Sequence, residues 1–211
     1  MATVHVLKTG YVVPEGAGKE RADCTITLIR SGASVGQELA PATVASDVNV
    51  LVDTGNPQDG EQLARLLAAE GLSPSDISVV VCTHGHSDHT GNNGLFPHAL
   101  FVIGTEILKG DLFTSHEFGQ APYVISDEIE VIATPGHSSP DVSVLAKTPE
   151  GLVAVVGDLF ESEEDLRDQS RWIERSEDPE TQRTSRESVL MTADYIVPGH
   201  GGMFRVPWVV G

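Results

Sequence analysis

The sequence predicts an α/β (α+β) fold in which sheet and helix stack in layers. Three observations point there. Short β-rich runs alternate with helical patterns along the chain, an order that packs helices onto a sheet. The run Ile77 to Cys82 is almost wholly apolar, as a strand covered on both faces requires. The chain has 211 residues, 40% of them hydrophobic and 21% charged, which suffices for a sizeable core and argues against a disordered, collagen-like or membrane-spanning chain. No internal repeat or low-complexity linker divides it, so residues 1–211 read as one domain.

The elements follow in order. Val4 to Val13 and Ala22 to Arg30 are β-rich runs separated by the turn Pro14-Glu15-Gly16-Ala17-Gly18. Ser31 to Ser46 is small and polar and reads as a loop. Asp47 to Val52 is a further strand running into Asp53-Thr54-Gly55. A helix then starts with Asn56 as N-cap, Pro57 at the first helical position and Asp59 facing the positive end of the dipole. Leu63, Leu66 and Leu67 give it one apolar face, and Gly71 suits its C-terminal cap. The buried strand to Cys82 delivers the chain into Thr83-His84-Gly85-His86-Ser87-Asp88-His89. Short strands are expected at Ala99 to Ile103, Glu128 to Thr134, Val142 to Ala146 and Leu152 to Val156. Glu161 to Arg186 is polar; Arg167, Arg171 and Arg175, four apart, suggest a helix with a basic stripe among acidic neighbours. Trp172 within it lines a cleft or packs in the core. A second helix is expected over Thr184 to Ala193, and a last strand, Tyr195 to Val197, ends at Pro198-Gly199-His200. The apolar close, Trp208 to Gly211, would dock on the body or on a second copy in a homodimer.

Lys and Arg number 13 against 31 Asp and Glu, a formal net charge of −18. A surface this acidic repels phosphate backbones and argues against a broad nucleic-acid-binding face. One phosphate held at a local positive site, such as a metal, stays compatible. Cys24 and Cys82 lie in apolar runs and read as buried free thiols. The N-terminus has no basic region followed by a long apolar stretch, no run approaches the ~20 residues that span a bilayer, and no lipidation motif is present. These features predict a soluble, cytoplasmic protein with no membrane partner.

The eight histidines are unevenly spread. His84, His86 and His89 fall within six residues, with Asp88 among them. Imidazole nitrogen and carboxylate oxygen are ligands for zinc and other divalent ions. His137 and His200 each follow Pro-Gly after an apolar strand, and Asp158 ends another apolar run. A histidine after Pro-Gly is by itself an ordinary turn residue. The whole set, buried without a cation, would leave many polar groups unsatisfied. Four strand ends thus present candidate ligands, and strand ends are where sites gather in α/β folds. His5, His98 and His116 fall outside the pattern and read as surface residues, with His116 a candidate general acid only because it is unassigned.

The run Thr83 to His89, followed by His137, Asp158 and His200, resembles the metallo-β-lactamase superfamily. The resemblance implies a four-layer αββα sandwich with a metal site at one edge between the sheets. It implies that His84, His86 and His137 bind one divalent ion, that Asp88, His89 and His200 bind a second, and that Asp158 bridges both. Zinc is the expected metal, with iron or manganese as alternatives. Asp53 in Val52-Asp53-Thr54-Gly55 matches an Asp of the family that orients the metal loops.

Two such ions ~3.5–4 Å apart lower the pKa of a shared water toward ~7 and supply the attacking hydroxide. Asp88 would in addition accept a proton or hydrogen bond from that nucleophile, a catalytic role. The bridging Asp158 argues against antibiotic hydrolysis, and His86 argues against the di-iron oxidoreductases, which carry a Glu there. Only about a dozen residues follow His200, without room for the glutathione-binding helical domain of glyoxalase II enzymes. Stretches outside the ligands resemble a branch described as endoribonucleases of histone pre-mRNA 3′ ends: Thr90-Gly91-Asn92, Gly94-Leu95-Phe96-Pro97, Asp141-Val142-Ser143-Val144, Ser176-Glu177-Asp178-Pro179 and Phe204-Arg205-Val206. The resemblance therefore implies metal-dependent phosphodiester hydrolysis with RNA as substrate, and a nuclear location besides the cytoplasmic one. The charge of −18 pulls against this, so RNA would bind weakly and chiefly through the metals. The alternatives are hydrolysis of a small ester, thiolester or lactone, and an iron-dependent redox protein on the same site.

Overall fold

A computed structural model describes residues 1–32 and 47–207. The expected loop from Ser31 to Ser46 lies almost wholly outside these residues, as does Trp208 to Gly211. In chain order the strands and α-helices are β1 (Thr3–Lys8), β2 (Tyr11–Gly16), β3 (Lys19–Asp23), β4 (Ile26–Ser31), β5 (Val48–Val52), α1 (Gly60–Ala69), β6 (Val79–Cys82), α2 (Ser87–Thr90), β7 (Leu100–Ile103), β8 (Glu106–Lys109), β9 (Leu112–Thr114), β10 (Tyr123–Ser126), β11 (Ile129–Ala133), β12 (Val142–Thr148), β13 (Gly151–Gly157), α3 (Ser170–Ile173), α4 (Pro179–Thr192), β14 (Tyr195–Pro198) and β15 (Phe204–Arg205).

Two mixed sheets carry the fold. One runs β1-β4-β5-β6-β7-β8-β9, the other β10-β11-β12-β13-β14-β15, and β2-β3 is a separate hairpin. Alternation along the strands sorts residues into layers. Val50, Val52, Val79 and Val81 of the first sheet pack with Val131, Val144, Val153, Val155 and Val197 of the second. On the opposite face of the first sheet, Leu51, Val80 and Cys82 meet Leu63 and Leu67 of α1. On the outer face of the second, Ala154, Val156 and Ile196 meet Val189 of α4. The layer order is helix, sheet, sheet, helix, the αββα sandwich. Among the described residues no helix is long and apolar enough to cross a membrane.

The structure departs from the sequence reading in four places. The run Val4 to Val13 is two strands, and Ala22 to Arg30 spans the end of β3 and all of β4. The break has a cause far along the chain. Thr25 N–H donates to Gly199 O at 2.6 Å and Thr25 Oγ1 to Gly201 O at 3.0 Å, so this stretch leaves the ladder to hold the loop carrying His200. Gly10 lies so close that a Cβ there would strike the Asp23–Thr25 backbone. Strands β8, β9 and β10 were not expected; β9 is wholly exposed and lacks the apolar alternation that marks a strand. The second helix begins at Pro179 rather than near Thr184, because Asp178 caps it, accepting Glu180 N–H at 3.2 Å and Thr181 N–H at 3.1 Å. No long basic-striped helix forms: ahead of α4 the segment holds the four-residue α3 and a 3-10 turn at Glu163–Leu166. Arg171 pairs with Glu164 at 2.6 Å and Arg175 with Glu20 at 2.6 Å. Trp172 is buried, with the Arg186 guanidinium 4.5 Å from its ring; Arg186 in turn lies 3.8 Å from the Phe160 ring and bonds Asp165 at 3.1 Å. Cys24 and Cys82 are buried free thiols, both pushed up by burial.

Candidate metal centre

The candidate ligands all come from loops that follow strands. Asp53 follows β5, the His84–His89 segment follows β6, His137 follows β11, Asp158 follows β13 and His200 follows β14. Strands β5 and β6 are parallel, as are β13 and β14, and so their C-terminal ends open on one edge. The loops nest tightly there. A Cβ on Gly199 would overlap Asp158 Oδ1, and one on Gly157 would strike the Thr83 hydroxyl; Gly157 also takes φ +54, which glycine adopts without a Cβ clash.

This edge brings together all seven residues expected from the sequence. His84 Nε2 lies 2.8 Å from His86 Nδ1, and His137 Nε2 lies 3.2 Å from the same atom. Asp158 Oδ2 is 3.6 Å from His84 Nε2, 3.3 Å from His137 Nε2 and 3.3 Å from His200 Nε2. Its other oxygen is 3.2 Å from His89 Nε2. Asp88 Oδ2 faces both His89 Nε2 and His200 Nε2 at 3.8 Å. Asp158 therefore stands between two clusters, His84-His86-His137 and Asp88-His89-His200, and each set could hold a metal ion.

The outer ring nitrogens decide what the inner ones present. His89 Nδ1 is 2.8 Å from Asp53 Oδ2, and His200 Nδ1 is 2.9 Å from the Asp23 carbonyl. Both partners only accept, so Nδ1 carries the proton in each ring. Thr83 Oγ1 donates to Asp53 at 3.1 Å and lies 3.1 Å from His84 Nδ1, so it accepts the His84 proton. In their neutral forms, the forms that ligate a cation, His84, His89 and His200 thus each turn an Nε2 lone pair inward. His89 Nε2 and Asp158 Oδ1 are both buried with no hydrogen-bond partner, though 3.2 Å apart. Lone pairs opposed in this way repel unless a proton or a cation lies between them. Buried nitrogen and carboxylate donors converging in this manner fit a divalent ion.

The charges agree. Burial favours neutral imidazole at His84 and His137, and both titrate below the usual histidine value. Burial opposes the charged form of His89 and His200 as well, but Asp158 outweighs it: His89 lies well above the usual range and His200 is pushed up to about 9. Asp158, despite burial, is held well below the carboxylate range by His89, His200 and His84. Glu161 is pushed up to about 8 by burial and by the Asp158 charge. Asp53, at φ +62, ties the arrangement together: its carboxylate also accepts Thr83 N–H at 2.8 Å.

Residues outside the set stay apart. His116 Nε2 lies 2.9 Å from Ala121 O and its ring meets those of Phe118 and Tyr123 edge to face. His5 pairs with Glu70 at 3.7 Å, and His98 is exposed. Sequence reading missed Glu161, Thr83 and the Asp23 carbonyl. A cleft of about 410 Å³ opens beside His200, lined by Tyr11, Val12, Glu161, Glu164, Arg171 and Met203 among others.

A family model described as the metallo-β-lactamase superfamily matches residues 44–121. Metallo-β-lactamase domain-containing protein 1 of Homo sapiens is 43% identical over 221 residues, covering 97% of this chain and 82% of that protein. A solved metallo-β-lactamase-type structure from Thermotoga maritima superposes with a TM-score of 0.66 at 19% identity, covering 97% of this chain and 99% of that one. A quorum-quenching N-acyl homoserine lactone lactonase superposes with a TM-score of 0.63 at 20% identity, covering 94% and 91%.

Proposed function

The chain belongs to the metallo-β-lactamase superfamily, and from that premise we propose that it is a metal-dependent hydrolase that cleaves phosphodiester bonds of RNA. One observation carries the hydrolase reading: buried His89 Nε2 and Asp158 Oδ1, neither with a hydrogen-bond partner, oppose one another across 3.2 Å, a contact that a bound cation would relieve. His84, His86 and His137 would hold one ion and Asp88, His89 and His200 the other, with Asp158 shared. Zinc suits these nitrogen and oxygen donors, and iron or manganese would fit the same set. The metals, when bound, supply an activated water near neutral pH and offset the negative charge that develops on the substrate.

The chain's own residues do the rest. Asp53, Thr83 and the Asp23 carbonyl fix ring orientation, so the inward nitrogens stay aimed without rearrangement. Asp88, with its side chain 17% exposed, is the carboxylate on the open side. It would accept the proton of the attacking water at Oδ2 while held against His89 and His200. The RNA assignment rests on the resemblance of the stretches outside the ligands. A second reading, hydrolysis of a small uncharged ester, thiolester or lactone, is favoured by the cleft wall, where Glu161, Glu163, Glu164, Asp168 and Glu174 outnumber Arg171 and Arg175.

The test is metal analysis of the purified protein with a panel of single-stranded RNA, esters, thiolesters and lactones, run on wild type and His86→Ala. About two ions per chain, with RNA cleavage lost in the variant, supports the proposal. Lactone or ester turnover without RNA cleavage transfers the site to the second reading. Redox-active iron with no hydrolysis of any substrate overturns both.

A further inference from the structure

We propose that Glu161 is a positioning residue of this centre: its carboxylate accepts the Nδ1 proton of His137 and so aims His137 Nε2 at Asp158 and His86. The inference rests on the metal-hydrolase reading above. Its basis is a gap in an otherwise consistent pattern. Of the four buried imidazoles, three have an acceptor for the outer nitrogen: Thr83 for His84, Asp53 for His89 and the Asp23 carbonyl for His200. His137 Nδ1 is buried and has no hydrogen-bond partner. The polar atom facing it is Glu161 Oε1, 4.0 Å away, and this atom too is buried without a partner. Two buried orphans that face one another gain from closing to the ~2.9 Å of an N–H···O bond, since each otherwise bears its desolvation cost alone.

Glu161 is well placed to hold a fixed position. Its backbone N–H donates to Asp165 Oδ2 at 2.8 Å, and its carbonyl accepts the His200 N–H at 2.9 Å. Its second carboxylate oxygen is 3.9 Å from Arg175 Nε. Arg175 grips both Glu20 oxygens at 2.8 and 2.6 Å, which ties the β2–β3 hairpin to this side of the centre. One residue thus links His137 through its side chain and His200 through its backbone, one from each metal cluster.

The experiment is zinc titration with chelator competition on wild type, Glu161→Ala and Glu161→Gln, together with the nitrogen-bound imidazole proton spectrum of the zinc-loaded forms. Wild type should bind two ions. Glu161→Ala should weaken one of them by about 10- to 100-fold, the usual effect of removing such an outer acceptor, and should lose the protected His137 Nδ1 proton resonance. Glu161→Gln keeps an acceptor oxygen in nearly the same shape, so it should recover most of the affinity and the resonance. Wild-type affinity for both ions in Glu161→Ala overturns the inference. Loss of one ion altogether in both variants also overturns it, because Glu161 would then be a direct ligand. A wild type that binds no zinc and no other divalent ion defeats the hydrolase reading itself, a separate result.

Discussion

Stripping the metals should make stability fall with rising pH above neutrality. In the stripped protein His200 Nε2 faces Asp158 Oδ2 at 3.3 Å. Burial works against the imidazolium, yet the Asp158 charge carries His200 from 6.5 to about 9. Between those values the folded protein keeps a proton that the unfolded chain has released. The stability this confers is full below pH 6.5 and is lost as the pH rises through 9. The whole interval amounts to on the order of 3 kcal/mol. His89, also raised by burial-opposing Asp158 and Asp53 charges, adds in the same direction. His84 and His137, both lowered, act only below pH 6.5, where they make stability climb with pH, so the histidines by themselves favour the stripped fold most near pH 6.5. With metals bound, the inner nitrogens carry no proton in the fold and none in the unfolded chain above 6.5, so that profile is flat. The gap between the two forms should thus widen by about 3 kcal/mol from pH 6.5 to 9. Urea unfolding in chelator and in buffered excess zinc measures it directly. Parallel profiles over this window would mean that His200 is not coupled to Asp158 as the geometry requires.

Four further outcomes follow. Asp88→Ala should abolish turnover while leaving urea stability of the stripped form within about 1 kcal/mol, as expected of a side chain on the open side of the centre; near-normal rates would refute its proton-accepting role. Asp53→Ala removes the acceptor of His89 Nδ1, so affinity for one ion should fall by about 10- to 100-fold in chelator competition, and unchanged affinity for both would contradict this. Arg186→Met leaves the Asp165 carboxylate buried without its 3.1 Å partner and should cost roughly 3–5 kcal/mol in urea unfolding; a loss under 1 kcal/mol would show that Asp165 is satisfied otherwise. If RNA is cleaved, its binding should depend weakly on salt, with a log–log slope matching about one or two neutralised phosphates, and a steep slope would expose a basic track that these residues do not form.

Much of the centre was legible because its ligands announce themselves locally. His84, His86, Asp88 and His89 lie within one turn, and His137 and His200 share a Pro-Gly approach from an apolar strand. Strands were legible where runs are apolar, as at β5, β6 and β13, and obscure where they are short or exposed, as at β9. The break at Cys24 and Thr25 could not be read, because its cause is the bonding of Thr25 to Gly199 and Gly201, 174 and 176 residues later. The start of α4 was readable in principle: Asp178-Pro179 is a strong cap, but the charge pattern around it drew attention to a basic stripe instead. Glu161 and the Asp23 carbonyl left no signal. A glutamate in an acidic stretch looks solvated, and a backbone oxygen has no letter in the sequence.

The acidity that stands against the proposed phosphodiester substrate has a place in the same geometry. Asp53, Asp88, Asp158 and Glu161 gather around five histidines, so the centre attracts cations before any substrate arrives, and the −18 charge of the chain raises their local concentration further. Those carboxylates continue outward along the cleft wall, where both arginines are already paired. A long polyanion would meet repulsion along the wall and attraction only at the metals. Under the proposed function, the substrate favoured by such a field would offer a single reacting phosphate or carbonyl to the centre and little further negative charge to the cleft. For RNA this means a short, splayed segment rather than a tracked strand, and for the competing ester reading it means an uncharged acyl group. The discrimination between the two would lie in the cleft wall, while the proposed metal centre would serve both.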